Sequence, residues 1–172
     1  EVFNNFDSTN DIENSGISLQ ADYALPFADL TSITSFRTVD SVTDQDSDFT
    51  SADLVERNLS ETNIETFTQE VRLTSNNPDA QFDWMVGACF FDEQVEGSNE
   101  FFYGADFRAY ADILAGDPAA LAGTELFAGI PVGTFGAQGQ GPIEEFGQDN
   151  TSWSLFGTVD FYVTDRLTAT VG

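Results

Sequence analysis

The sequence contains no histidine and no lysine, and its five basic residues are all arginines: Arg37, Arg57, Arg72, Arg108 and Arg166. A Ser-His-Asp triad, a Schiff-base lysine and a phosphate-binding loop with its lysine are therefore excluded within this chain. Zinc or iron held by imidazole is excluded for the same reason. These absences predict a protein that is not an enzyme and needs no cofactor.

Positive charge is scarce throughout the sequence. Five Lys and Arg residues stand against 30 Asp and Glu, which gives a formal net charge of -25 at pH 7. Phosphate contacts require basic side chains, so we expect no nucleic-acid partner.

Cysteine and long apolar runs are also lacking. Cys89 is the single cysteine, so no disulfide can form within the chain. No apolar run reaches the ~20 residues that a membrane helix needs. No secretory signal is recognisable at the start of the sequence. We therefore expect a segment of a longer protein, incomplete at both ends.

The pattern that is present is an alternation with a period of two, which is typical of β-strands. Ile17, Leu19, Ala21 and Tyr23 alternate with polar residues, and the same alternation recurs along the chain. We predict six strands, which begin near residues 17, 30, 66, 82, 153 and 167.

The connections between these predicted strands alternate in length. Short turns are predicted at residues 25–29, 75–81 and 163–166, and long loops at 40–63 and 94–151. A short helix near Asp106 to Ala115 is predicted inside the second loop, because apolar residues recur there at helical spacing. Short periplasmic turns and long extracellular loops are typical of outer-membrane barrels. The sequence therefore predicts an all-β, antiparallel, up-and-down transmembrane β-barrel segment, about six strands of a larger barrel.

Two further features favour a membrane barrel. The alternating runs are about 9–11 residues long, which suits a tilted strand that crosses a bilayer. Charged residues also fall on the polar face of their strands, where they would avoid lipid. We therefore predict a lumen-facing wall that includes Asp22, Glu70, Arg72 and Asp160.

Two alternatives remain open, one a soluble domain and the other a different membrane protein. A β-sandwich alternates in the same way, with its apolar side turned inward. A soluble acidic β-domain that binds carbohydrate or calcium is thus the second hypothesis, and a passive porin is a third.

The amino-acid sequences of several strands resemble those of a known family. Residues 68–75, 82–88 and 90–93 resemble a hairpin of TonB-dependent receptor barrels, and residues 152–168 look like a later hairpin. Residues 30–37 are similar to an earlier strand of the same barrel. These segments stand in family order and cover roughly half the chain.

This resemblance implies a receptor and transporter in the bacterial outer membrane. It implies uptake of a scarce nutrient, most simply a ferric-siderophore-type chelate, driven by the TonB energy-transducing complex. The TonB box and the plug domain, through which that complex acts, are not recognisable in this chain. No ligand residue of the family carries over to a position here.

Two loops hold the remaining candidate residues. Aromatic residues and a single cation in residues 94–151 predict ligand contact with an anionic chelate, and the candidates are Phe102, Tyr103, Arg108 and Tyr110. In the predicted loop 40–63, Asp44, Asp46 and Asp48 alternate as calcium ligands do. The EF-hand pattern fails there, because Phe49 stands where glycine is needed and Val55 where the bidentate glutamate belongs.

Overall fold

The computed structural model describes Asn4 and residues 6–172 of the chain. Six antiparallel strands form one open sheet in the order of the sequence, so each strand pairs with its neighbours along the chain. The elements are β1 (Thr9–Ala24), β2 (Ala28–Asp44), β3 (Val55–Ser75), β4 (Phe82–Tyr103), α1 (Phe107–Ala115), α2 (Ala120–Ala128), β5 (Ile143–Thr164) and β6 (Leu167–Val171). The all-β prediction with six strands is confirmed.

Cross-strand contacts confirm that the faces follow the alternation of the sequence. The rings of Phe67 in β3 and Phe90 in β4 lie 6.2 Å apart, so these apolar residues share one face. Ser35 and Thr68 are hydrogen-bonded at 2.7 Å on the other face. Successive side chains of a strand point to opposite faces of the sheet. Each of these contacts therefore shows on which face the neighbouring residues of its two strands lie.

The predicted strand length of 9–11 residues is wrong. Five of the six strands run for 16 to 22 residues, and the loops shrink accordingly to residues 45–54 and 104–142. The strands continue through polar sequence: β4 runs on through residues 92–100 to Tyr103. Backbone pairing needs no apolar side chain, so the end of the apolar pattern does not end the strand.

The three short turns are confirmed. Leu25 N–H donates to Ala28 O at 2.8 Å and closes the turn between β1 and β2. Ala80 N–H donates to Asn77 O in the turn before β4. Thr164 pairs with Leu167 at the last turn.

The long loop contains the predicted helix and one that the sequence did not predict. The helix α1 matches the predicted Asp106 to Ala115, and it ends at Gly116 with a φ of 71°. The helix α2 ends at Gly129 in the same way, with a φ of 72°. Left-handed backbone at this position favours glycine. Each helix therefore ends at a glycine of the sequence. Within the described residues, no helix is long and apolar enough to cross a membrane.

The chain divides into two compact units. The first comprises the residues up to Glu13, Asp40–Asn63 and Glu96–Gly147, and thus includes both long loops. The second comprises Asn14–Val39, Ile64–Val95 and Gln148–Gly172, and thus includes the three short turns.

Very little of the chain is buried. Among the described residues, the buried hydrophobic ones are Ala28, Val55 and Leu59. Leu19, Trp153 and Leu155 are between 69% and 76% exposed. A soluble domain of this size buries most of its large apolar side chains. The sheet therefore has an apolar surface that its own chain does not cover.

Candidate functional site

The largest candidate surface is the apolar face of the second unit. It is formed by alternate residues of every strand, and they are Ile17, Leu19, Phe36, Phe67, Val71, Val86, Phe90, Leu155, Val159 and Val171. Each of these side chains is more than one third exposed. Val159 of β5 lies directly opposite Val171 of β6, so the face continues to the last strand.

On the inner strands β3 and β4, burial on the two faces is the inverse of that in a soluble sheet, whereas β1 is exposed on both faces. On β3, Phe67 and Val71 are exposed, whereas Thr68, Glu70 and Arg72 on the other face are half-buried. Strand β4 behaves in the same way, with Val86 exposed and Asp83 half-buried. In water, apolar side chains are expected on the better-covered side. On β3 and β4 the apolar face is therefore the less covered of the two.

Three polar residues, Ser32, Thr34 and Gln69, form a group on the apolar face, and their side chains are hydrogen-bonded to one another. Thr34 Oγ1 donates to Gln69 Oε1 at 2.5 Å, and Gln69 Nε2 donates to Ser32 Oγ at 3.0 Å. The same Nε2 also donates to Glu70 O at 3.0 Å. A polar group needs such partners in apolar surroundings, because an unpaired one costs several kcal/mol there.

The opposite, polar face carries the four predicted wall residues, and each has a partner. Arg72 Nε lies 2.8 Å from Glu70 Oε1, which forms an ion pair along β3. Thr31 Oγ1 donates to Asp22 at 2.7 Å, and Thr170 Oγ1 donates to Asp160 at 2.5 Å. Their position on one polar face agrees with the alternation, and a lumen on that side stays a prediction.

An aromatic ring covers a glycine on this polar face. A Cβ atom at Gly87 would lie 2.4 Å from Cζ of Phe156 and 3.1 Å from Cγ of Arg72. Only glycine allows the Phe156 ring to lie so close to β4. Beside this contact, Tyr162 on β5 donates a hydrogen bond to the carboxylate of Asp83 on β4.

Ligand contact is predicted for residues 94–151, which the structure divides between the ends of β4 and β5 and a cap segment, residues 104–142. Arg108 lies in the cap segment. Its cation does not point to an open site, because Arg108 binds the fully buried Glu125 through both terminal nitrogens, at 2.8 and 3.0 Å. Arg108 also donates to the carbonyl of Phe135. Gly133 N–H and Phe135 N–H donate to the remaining positions of Glu125, at 2.8 and 2.6 Å.

This arrangement explains the acidity of Glu125. The hydrogen bond from Arg108 lowers the pKa of the Glu125 carboxyl to about 2, against burial, which raises it. The backbone N–H groups of Gly133 and Phe135 lower the same pKa further. A buried charge is tolerated only when it is paired and hydrogen-bonded, as here. The pair is therefore a structural centre of the cap segment.

The other predicted ligand residues are divided between internal and open positions. The ring of Tyr103 stacks on Phe107 at a centroid distance of 4.2 Å and meets Phe101 edge-on at 6.0 Å. Phe102 is half-buried, and Tyr110 is 45% exposed. The structure thus does not assemble Phe102, Tyr103, Arg108 and Tyr110 into one open surface, and ligand contact there stays a prediction.

The acidic loop, residues 45–54, uses its central carboxylate to organise its own backbone. Asp48 accepts hydrogen bonds from Thr50 N–H at 2.8 Å, Val55 N–H at 3.0 Å and Leu54 N–H at 3.2 Å. Burial alone would raise the pKa of Asp48, but these bonds outweigh it and lower the pKa below its usual value.

The three calcium candidates are not brought together. In the described part of the chain, no group of three or more potential ligands is arranged to hold a metal ion. Asp46 is buried and Asp48 binds the loop backbone. Phe49 nevertheless adopts a left-handed φ of 53°, the conformation that the glycine of a calcium loop would supply.

Sequence reasoning missed an open cavity of about 670 Å³ in the first unit. Four strands line it, and its carboxylates are those of Asp40, Glu61, Glu96 and Glu145. Phe146 also lines it, and a Cβ atom at Gly97 would lie 2.3 Å from that ring. These residues stand on four different strands, in polar stretches that the sequence predicted to be loops. Recognition of those stretches as strands would have brought the carboxylates together.

A second cavity, of about 750 Å³, lies among the turns of the second unit. Phe27, Phe82 and Trp84 line it. Asn76 Nδ2 holds two of these turns together, because it donates to Leu25 O at 3.0 Å and to Asp29 Oδ1 at 3.2 Å. Aromatic residues thus cluster where the strands of this unit turn.

No family model, curated protein or solved structure matches this chain. The resemblance to TonB-dependent receptors therefore stays a prediction that is based on the strand sequences.

Proposed function

We propose that this chain is a segment of an outer-membrane β-barrel of the TonB-dependent receptor type. The observation that supports this proposal best is the exposed apolar face opposite a half-buried polar face. Lipid is the environment in which this arrangement is stable, since hydrocarbon covers the apolar side and water fills the polar side.

The details of the sheet agree with contact to lipid. Antiparallel pairing satisfies the backbone between strands, which hydrocarbon requires. The polar group around Gln69 on the apolar face is hydrogen-bonded within itself. Aromatic residues lie beside the turns, where an interfacial girdle is expected.

The receptor part of the proposal concerns the long connections. Under this proposal the cap segment and the acidic loop face the outside of the cell, and the cargo is a scarce nutrient such as a ferric chelate. Energy would come from the TonB complex through a plug domain. Long loops on a rigid scaffold are the usual place for recognition.

The alternative is a soluble acidic β-domain that binds carbohydrate or calcium. The acidic cavity in the first unit is the feature that favours it. The small number of buried apolar residues weighs against it, since a soluble sheet of this size needs a covered core.

The test uses the two tryptophans of the chain, Trp84 and Trp153. The chain is folded into phospholipid vesicles, and each tryptophan is observed alone in the Trp84→Phe and Trp153→Phe variants. We expect acyl-chain-brominated lipid to quench Trp153, which is 76% exposed in the chain alone, more than aqueous iodide does. Stronger quenching by iodide, together with cooperative melting of a monomer in plain buffer, would favour the soluble alternative.

A further inference from the structure

The acidic loop and the cap segment are far apart in the sequence, but both belong to the first unit. Their contact consists of hydrogen bonds between residues 53–54 and residues 104–106. Gly104 N–H donates to Leu54 O at 2.9 Å, and Asp106 N–H donates to Asp53 O at 2.8 Å. These two backbone bonds join the loops directly.

Two carboxylates strengthen the same contact in a reciprocal way. Ala105 N–H donates to Asp53 Oδ2 at 2.8 Å, and Asp53 N–H donates to Asp106 Oδ2 at 3.0 Å. Each loop thus supplies one aspartate whose carboxylate binds the backbone of the other loop. Bonds to a charged acceptor are stronger than those between neutral groups.

Asp106 uses its side chain for this contact and not for capping its own helix. Asp106 is the N-cap residue of α1, where an aspartate normally accepts a hydrogen bond from its own helix. Its side chain makes no such cap bond. The carboxylate binds Asp53 N–H instead, so the helix begins without its usual side-chain cap.

The backbones approach so closely that they leave no room for a side chain at residue 104. A Cβ atom at Gly104 would lie 2.2 Å from Asp53 O. Within the cap segment, a Cβ atom at Gly136 would lie 2.6 Å from the ring of Phe107, and the Arg108–Glu125 pair binds the returning chain. The cap segment is therefore internally fixed and joined to the acidic loop at its base.

We propose that the acidic loop and the cap segment open as a single cooperative body, joined by the reciprocal aspartates Asp53 and Asp106. A motion of the cap segment then moves residues 45–54 with it. This inference concerns the two loops alone and does not depend on the proposed membrane location or cargo.

Hydrogen exchange of the full chain in detergent tests the proposal. The reporters are the amides of Leu54 and Val55, which bind Asp48 and do not contact Asp106. In the Asp106→Ala variant we expect their exchange to accelerate about tenfold, the effect of about 1.4 kcal/mol, as is reasonable for one charge-assisted hydrogen bond. Asp106→Asn keeps an acceptor oxygen and should restore most of the protection.

Asp117→Ala is the matched control. Asp117 Oδ1 accepts a hydrogen bond from Ala119 N–H at 3.0 Å within the cap segment. Its loss should leave Leu54 and Val55 unchanged. Equal acceleration in both variants, or acceleration by Asp106→Ala in the cap segment alone, would overturn the proposal.

A second measurement serves if Asp106→Ala does not fold. In the unmodified chain, exchange is followed at increasing denaturant concentration. Amides of residues 50–55 and of α1 should then open with the same free energy and the same denaturant dependence. Two separate opening reactions would contradict the proposal that the acidic loop and the cap segment open as one body.

Discussion

A single arginine placed on either face of β5 would test the orientation of the sheet most directly. Under the proposed function, the apolar residues from Trp153 to Val163 span about 25 Å of bilayer, at a rise of ~3.3 Å per residue and a tilt of ~40°. Val159 lies near the middle of this span and is 42% exposed on the apolar face. Thr158 is its neighbour and belongs to the opposite, polar face.

The expected cost follows from this position. An arginine on the lipid side near the bilayer midplane costs about 2–4 kcal/mol. Val159→Arg should therefore weaken folding into vesicles by roughly 30- to 700-fold. Thr158→Arg adds the same charge to the same strand, but on the polar side, and should cost less than about 1 kcal/mol.

The assay is reversible unfolding of the chain in phospholipid vesicles, followed by tryptophan fluorescence as urea is increased. The difference in unfolding free energy between the two variants is the quantity of interest, because both carry the same added charge. If Thr158→Arg proved as costly as Val159→Arg, or more so, the assignment of the apolar face to lipid would be wrong.

Two further predictions concern close contacts and pH. Gly87→Ala places a Cβ atom against Phe156 and should destabilise the chain by about 1–3 kcal/mol, whereas Gly123→Ala, which has nothing within 4 Å, should stabilise it by about 0.5–1 kcal/mol. Urea midpoints of the two variants check this, and a neutral Gly87→Ala would mean that the ring does not rest there. Glu125 has a folded pKa of about 2, below its unfolded value of 4.5, so its stabilising effect is complete above pH 4.5 and is lost as the pH falls towards 2. The difference in unfolding free energy between the unmodified chain and Glu125→Gln, measured by urea titration, should be constant from pH 5 to 8 and should shrink between pH 4.5 and 2.

The alternation of the sequence was enough to predict the strands and their faces. The period of a strand is fixed at two residues by backbone geometry, so each polar and apolar residue reveals its side. Phe67 and Phe90 could be placed on one face for this reason. The strand ends could not be predicted, because pairing beyond the apolar residues depends on the partner strand. Gln45 N–H, for example, donates to Asn58 O in a stretch with no apolar alternation.

The organisation of the loops lay further beyond the sequence. Arg108 stood out as the single cation of its loop, but nothing marks Glu125 among 30 acidic residues as its partner. That partner depends on α2, which the sequence did not predict. Arg108, which was expected to bind an anionic ligand, is thus paired with Glu125 inside the cap segment. Ligand contact by this loop stays a prediction.

The strictly sequential order of the strands has a consequence for how such a sheet can change in size. Each strand forms hydrogen bonds only with the strands before and after it in the chain, so no ladder depends on a distant segment. A complete hairpin can then be gained or lost at an outer strand without any repair to the remaining pairs. Variation in the number of strands is therefore accessible to this architecture by duplication of single hairpins, while the loops at their tips diverge independently.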